Sequence, residues 1–236
     1  MLKYIQLELR RNNIRTYIIA SMIIAIVMLG FLYLLAYAPK LEPSDKDLEI
    51  FLGYHNLIPL FGVLNMAAFC VLSAVMYSKL IVEEYSGKRT ILLFSYPVSR
   101  IKILFSKLSV VGIFTILSMS SSNLMIYLIF GITENFLHLV NEAFTAVNML
   151  HAIKTTLVMA IVAASIGIIA TGIGFMKKSI PTTIITAVLL ASLMCNIVAN
   201  TTSSMMFMYL FSLVIIFIGM LFALGLVHKV SQMEVE

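Results

Sequence analysis

Long apolar runs separated by short charged segments dominate this chain. Four runs, each about one membrane thickness long at about 20 residues per crossing, occupy residues 16–38, 57–78, 108–133 and 155–176. A further block of 49 residues, 179–227, carries no formal charge and is long enough for two crossings. The polar run at 200–204 divides that block and predicts spans at 179–199 and 205–227.

Lipid offers no hydrogen-bond partners to a bare backbone, and unbroken apolar runs of this length fit only helices. The pattern therefore predicts an all-α integral membrane protein with six transmembrane helices in a single domain. Composition agrees, because 61% of the residues are hydrophobic and 11% are charged, against about 45–50% and about 25% in soluble domains. A soluble enzyme is excluded. Cys70 and Cys195 both fall inside spans, where a free cysteine behaves as a small hydrophobe.

The distribution of basic residues predicts the orientation, because Lys and Arg concentrate in cytoplasmic segments. With both termini in the cytoplasm, thirteen basic residues lie inside and three outside. The inside set is Lys3, Arg10, Arg11, Arg15, Lys79, Lys88, Arg89, Arg100, Lys102, Lys107, Lys177, Lys178 and Lys229, and the outside set is Lys40, Lys46 and Lys154. The net charge of +5 is therefore a topology signal and does not require a nucleic-acid partner. We expect a multi-pass protein of the plasma membrane.

The predicted spans contain no Asp, Glu, Lys, Arg or His. Ionisable groups at membrane depth usually mark proton pathways, metal sites or catalytic sites. Their absence argues against gradient-driven transport and intramembrane catalysis, although a sodium site built from carbonyl groups remains open. No G-x-x-x-x-G-K-[ST] phosphate-binding loop occurs. We expect no catalytic residue, metal or cofactor in this chain, and any uphill transport must draw its energy from another subunit.

The longest internal segment, residues 79–107, carries six of the sixteen basic residues. We expect the second helix to continue through Glu83 and Glu84, followed by a break at 86–87 and a short helix over 90–95. Pro97 ends that helix, because the residue before a proline is pushed out of the α region, and Ser99 is placed to cap the next one. The segment would be a short, stiff element lying across the cytoplasmic face.

The order of residues in this segment resembles the signature loop of ABC-2 type permeases, the membrane subunits of ABC exporters. The match comprises Glu84, Gly87, Thr90, Leu93, Ser95, Pro97, Val98, Ser99, Arg100 and Lys107. It covers about 25 residues closely, and the six-helix topology extends it to the whole chain. Lys88 and Arg89 stand where the usual pattern has Gly directly before Thr.

The resemblance implies a type V exporter-like bundle whose coupling loop docks a separate P-loop ATP-binding subunit. Two copies of that subunit would hold ATP and Mg, and a second permease copy, identical or a sister, would complete the pathway. The coupling residues would be Glu83, Glu84, Gly87, Thr90, Ser95, Pro97, Ser99, Arg100 and Lys107. An N-terminal interfacial helix over residues 1–15 would pack beside the same subunit. A simpler interpretation is that Lys79, Lys102 and Lys107 only follow the positive-inside bias and hold anionic lipid.

Polar and methionine-rich positions within the spans are candidates for lining a cargo pathway. They are Ser118, Ser121, Ser122, Asn123, Met205 and Met208. Each could equally make contacts between helices or fill the core. Small residues along the fourth span, including Gly167 and Gly174, favour close helix packing. The apolar spacing in residues 134–154 predicts an external amphipathic segment, which either covers an exit of the pathway or anchors a loop.

A pathway without charges suits hydrophobic or amphipathic cargo, such as peptides or lipid-like molecules. The resemblance also implies a bacterial protein of the kind that exports peptides or protects against bacteriocins and antimicrobial peptides. The alternative is a membrane scaffold or sensor that recruits a cytoplasmic partner through residues 79–107 without moving cargo.

Overall fold

A computed structural model describes residues 13–41, 51, 53–85, 100–137, 140, 145–200 and 205–232. The regular structure in these ranges is helical throughout. The helices are α1 (Ile14–Leu41), α2 (Tyr54–Tyr77) continued by a π-helical turn (Ser78–Val82), α3 (Arg100–Leu137), α4 (Ala146–Met176), α5 (Ile180–Asn200) and α6 (Met205–Ser231). All six are long and apolar enough to cross a membrane. The prediction of an all-α protein with six membrane spans is confirmed.

The helices extend beyond the apolar runs that predicted them. α3 has 38 residues, which is about 57 Å of helix against about 30 Å of hydrocarbon. It begins at Arg100 and therefore contains Lys107, and it reaches Leu137 and therefore contains Glu134. Both ionisable side chains are buried within the bundle, although the apolar run alone placed them outside the span.

The predicted external segment 134–154 is divided differently in the structure. Residues 134–137 continue α3, and α4 begins at Ala146 without an interruption before its apolar run. Glu134 closes the end of α3, since its Oε1 accepts a hydrogen bond from the backbone N–H of Val140 at 2.7 Å. Residues 138, 139 and 141–144 of the segment, and residues 1–12 of the predicted N-terminal helix, lie outside the described residues, whereas Ile14 and Arg15 open α1.

α4 lies at the centre of the bundle and packs against α2, α3, α5 and α6. Its most apolar stretch is 72% buried, compared with 17% for α1 and for α6. Small residues allow this packing. A Cβ atom built on Gly167 would lie 2.6 Å from Ser73 Oγ on α2, and one built on Gly174 would lie 3.2 Å from the Cα of Thr183 on α5. The sequence-based prediction of close packing along this helix is confirmed at these two positions.

Successive helices run in opposite directions, so that one end of the bundle collects the basic residues. At this end, buried residues of α2, α3, α4 and α6 meet around Tyr77, Leu104 and Phe175. Lys79, Lys102, Lys177, Lys178 and Lys229 all belong to the same end, which we call the basic end. A separate apolar cluster around Leu32, Phe61 and Phe130 closes the opposite end.

Candidate functional site

A buried ion pair joins the two helices that bracket the predicted coupling loop. The Lys107 ammonium on α3 contacts the Glu84 carboxylate directly after the π-helical turn of α2. The Lys107 Nζ also donates a hydrogen bond to the Leu80 carbonyl at 2.9 Å. The lysine side chain is fully buried and the glutamate side chain is 11% exposed. The positive-inside bias alone therefore does not account for Lys107, because its charge is paired with a carboxylate inside the protein.

A π-helical turn sets the position of Glu84. Over Ser78–Val82 the helix widens, and the backbone N–H of Glu83 donates to the Ser78 carbonyl at 2.8 Å, one residue further back than in an α-helix. Such turns occur frequently at functional sites. Leu80, Ile81 and Val82 within it are buried, so the turn is anchored in the core directly beneath the ion pair.

Aromatic side chains connect this site to the rest of the basic end. Tyr85 makes an edge-to-face contact with Phe175 near the end of α4, with ring centroids 5.7 Å apart. The Tyr77 hydroxyl on α2 donates a hydrogen bond to the Leu108 carbonyl on α3 at 3.2 Å. A displacement of the segment that joins α2 and α3 would therefore reach α4, the helix that contacts most of the bundle.

The structure brings together two of the nine predicted coupling residues, Glu84 and Lys107. Glu83 is half-buried beside them, and Arg100 is the first residue of α3. The remaining five predicted residues lie outside the described residues, namely Gly87, Thr90, Ser95, Pro97 and Ser99.

The predicted pathway-lining residues take different positions within one chain. Ser118 and Ser121 donate to carbonyl groups of their own helix, at 3.3 and 3.0 Å. Ser122 and Met208 are buried, and Met208 belongs to the central apolar cluster. Met205 is the first residue of α6. Within a single chain, then, Met208 contributes to the core and the two serines satisfy their hydroxyl groups locally.

Asn123 makes a polar contact between helices, one of the two roles expected for it, and its partners Asn65 and Thr156 were not predicted from the sequence. The Asn65 side-chain amide on α2 donates to Asn123 Oδ1, and the Asn123 amide donates to Thr156 Oγ1 on α4 at 3.1 Å. Asn65 and Asn123 are fully buried and Thr156 is 5% exposed. The uncharged amide of Asn65 within the second predicted span was the available signal for this contact.

Replacing Asn123 with valine should lower the free energy of unfolding by about 1–2 kcal/mol, because it leaves the Asn65 amide and the Thr156 hydroxyl with one fewer partner each. The measurement is the midpoint of unfolding in a denaturing-detergent titration. Ser121→Val is the matched control on the same helix, since Ser121 is exposed and bonds only within α3. Its effect should stay within about 0.5 kcal/mol. Equal effects of the two substitutions would contradict a role for the amide contact.

A small cavity between α3 and α4 is a second feature missed from the sequence. Its volume is about 130 Å³, and Ser120, Tyr127 and Thr156 contribute hydroxyl groups to an otherwise apolar lining. Among the described residues, the Ser120 and Tyr127 hydroxyls have no hydrogen-bond partner. The cavity is therefore lined by hydroxyl groups without a hydrogen-bond partner among the described residues, whereas the hydroxyls of Ser118 and Ser121 are bonded within α3.

Comparison with known proteins agrees with this architecture. The family model described as "ABC-2 family transporter protein" matches residues 5–193. The uncharacterized protein YcbO of Bacillus subtilis (strain 168) is 28% identical over 192 residues, which is 81% of this chain and 82% of that protein. No solved structure matches the chain.

Proposed function

Since the chain belongs to the ABC-2 family of transporter proteins, we propose that it is the permease subunit of an ATP-driven exporter. A permease of this family is a membrane subunit of a transporter and is not itself catalytic. Family membership and six apolar helices make the chain a multi-pass protein of the plasma membrane, and the Bacillus relative points to a bacterial source.

In the proposed assembly, a separate P-loop subunit binds ATP and Mg and docks on the segment between α2 and α3. Two permease copies, identical or sister chains, face each other across the pathway. The basic end is the cytoplasmic end, following the positive-inside bias. The cargo is hydrophobic or amphipathic, and a peptide is the leading candidate, because the described helices offer apolar surfaces and hydroxyl groups instead of buried charges in the middle of the bundle.

The Glu84–Lys107 ion pair is the observation that carries this proposal. It fastens the end of α2 to the start of α3, so the two ends of the docking segment move together. A closing motion of two ATP-bound subunits would press on this segment. Because α2 packs extensively against α4 and α5, the push would pass into the centre of the bundle and change the access of the pathway from one side of the membrane to the other.

The first test is to identify the partner. The tagged full chain is purified from its native membrane after mild cross-linking, and the captured proteins are identified by mass spectrometry. A partner with a P-loop ATPase sequence supports the exporter. A partner without nucleotide-binding motifs would instead support the alternative, a scaffold or sensor that recruits a protein without transporting cargo.

The second test measures coupling in the reconstituted complex. Pro97→Ala, Arg100→Ala and the double variant Glu83→Gln/Glu84→Gln should abolish stimulation of the ATPase by the permease. They should also abolish the resistance that the complex gives host cells against a panel of amphipathic peptides. Lys154→Gln, at the opposite end of the bundle, is the control and should leave both readouts unchanged. Wild-type ATPase stimulation in correctly inserted docking variants would refute the assignment of this segment.

A further inference from the structure

An apolar groove separates α4 and α6 at the basic end of the bundle. These helices run in parallel, and both finish at this end. The groove has a volume of about 280 Å³ and is lined by Gly172, Met176, Leu221, Phe222, Gly225, Leu226 and Lys229. The stretch from Leu221 to Lys229 extends about 12 Å along the axis of α6, so the groove leads from the membrane surface into the hydrocarbon region.

Two glycines give the groove its shape. A Cβ atom on Gly172 would lie 2.4 Å from Cδ1 of Phe222, which shows that the phenylalanine ring presses against the backbone of α4. A Cβ atom on Gly225 would meet no atom within 4 Å. The ring therefore closes the inner wall, whereas the space beside Gly225 stays open to whatever surrounds the protein. In a bilayer the surrounding material is hydrocarbon chains, and the open groove has room for one of them.

Three lysines stand at the mouth of this groove. Lys229 lines it directly, and Lys177 and Lys178 follow Met176, another lining residue. All three side chains are exposed, and in the part of the chain that the structure describes none of them forms an ion pair with a carboxylate. Basic residues placed over a gap between transmembrane helices on the cytoplasmic side are typical of sites for anionic lipid headgroups.

We propose that this groove binds an anionic phospholipid. One acyl chain lies along Gly225 and Leu221, and the phosphate headgroup contacts Lys229 with added attraction from Lys177 and Lys178. The larger groove among α3, α4 and α6, of about 560 Å³, lacks a charged lining residue among the described ones and does not select for headgroup charge. Bound lipid would fasten α6 to α4, which matters because the apolar stretch of α6 is only 17% buried by its own chain.

The test measures lipid retention by the purified full-length chain. The protein in detergent is mixed with phosphatidylglycerol or phosphatidylcholine carrying identical acyl chains, and bound lipid is counted by native mass spectrometry. We expect phosphatidylglycerol to be retained at least fivefold over phosphatidylcholine. Lys229→Gln should reduce that retention about fivefold, the effect of losing one basic residue at an anionic lipid surface. Gly225→Leu should reduce it tenfold or more by filling the groove.

Matched controls separate this site from general effects of charge and hydrophobicity. Lys154→Gln removes an exposed lysine at the opposite end, and Gly30→Leu adds a side chain where a Cβ atom also meets nothing within 4 Å. Neither should change retention. The triple variant Lys177→Gln/Lys178→Gln/Lys229→Gln changes only exposed side chains and keeps the test valid if Gly225→Leu does not fold.

Four results would overturn the proposal. They are equal retention of the two lipids, an effect of Lys154→Gln as large as that of Lys229→Gln, full retention in a folded Gly225→Leu variant, and displacement of phosphatidylglycerol by inorganic phosphate alone. The last result would show a site for a free anion without an acyl chain. The proposal does not rest on ATP-driven transport, so its failure would leave the exporter assignment untouched.

Discussion

Replacing Lys107 with methionine is expected to lower the free energy of unfolding by about 3–5 kcal/mol, the cost of removing one partner from a buried ion pair. Methionine keeps the unbranched apolar stem but loses the ammonium group, and the Glu84 carboxylate, 11% exposed, is left without its lysine. The Leu80 carbonyl also loses the Lys107 hydrogen bond.

The two cysteines provide a convenient measurement. Cys70 is fully buried and Cys195 is partly buried, so a Cys195→Ala background leaves one thiol that reacts with a fluorogenic maleimide only on unfolding. Lys102→Met is the matched control, because Lys102 is exposed on the same helix, and its effect should stay within about 0.5 kcal/mol.

A double variant distinguishes the unpaired charge from the loss of packing. Lys107→Met/Glu84→Gln removes both charges, and we expect it to recover at least half of the stability lost in Lys107→Met. The same double variant should still fail to stimulate the partner ATPase, because the link between the two ends of the docking segment is gone. If Lys107→Met and Lys102→Met lower the free energy of unfolding by the same amount, the ion pair does not stabilise the basic end.

Replacing Gly174 with valine is expected to cost about 3 kcal/mol through overpacking between α4 and α5. A Cβ atom at this position would lie 1.8 Å from Thr183 Oγ1 and 3.2 Å from the Thr183 Cα. Rotation of the threonine side chain could relieve the first clash, but only movement of the α5 backbone could relieve the second. The connection between the helices is short, and Lys178 within it has a positive φ of 48°, so α5 has little freedom to move away.

Gly30→Val is the matched control for this second prediction. It places the same β-branched residue in a helix, but a Cβ atom on Gly30 meets nothing within 4 Å. The thiol assay should therefore show an effect of less than about 1 kcal/mol for Gly30→Val. Comparable losses in the two variants would mean that the cost arises from helix propensity and not from the contact between α4 and α5.

The number and type of the helices could be predicted from the sequence because both depend on local properties. An apolar run of about 20 residues can satisfy its backbone in lipid only as a helix, and each of the six runs corresponds to one helix. The resemblance to ABC-2 permeases rested on a short ordered motif, and the family is confirmed over most of the chain. The ends of the helices were harder to predict, since α3 continues at both ends beyond its apolar run, through Lys107, which pairs with Glu84, and through Glu134, which accepts a hydrogen bond from Val140.

Contacts between helices could not be predicted from the same pattern. Glu84 and Lys107 were both candidates, but their pairing depends on how α2 and α3 are rotated against each other, and hydropathy does not encode that rotation. Asn65 and Asn123 meet for the same reason, although they are 58 positions apart. A lysine at the end of an apolar run is usually explained by the preference for the cytoplasm, and only the packing shows that this one faces inward.

The π-helical turn at Ser78–Val82 lets the helix hold one extra residue without turning Glu84 away from Lys107. A π-turn accommodates one residue more than the α-helical repeat, and each residue of an α-helix advances the chain by about 100° around the axis. A related chain with one residue fewer in this turn would wind there as a regular α-helix and still present its carboxylate towards the lysine. Alignments of related permeases should therefore allow a one-residue gap at this point, because the gap keeps the orientation of the residues on either side, whereas a gap in the regular part of the helix would rotate them by about 100°.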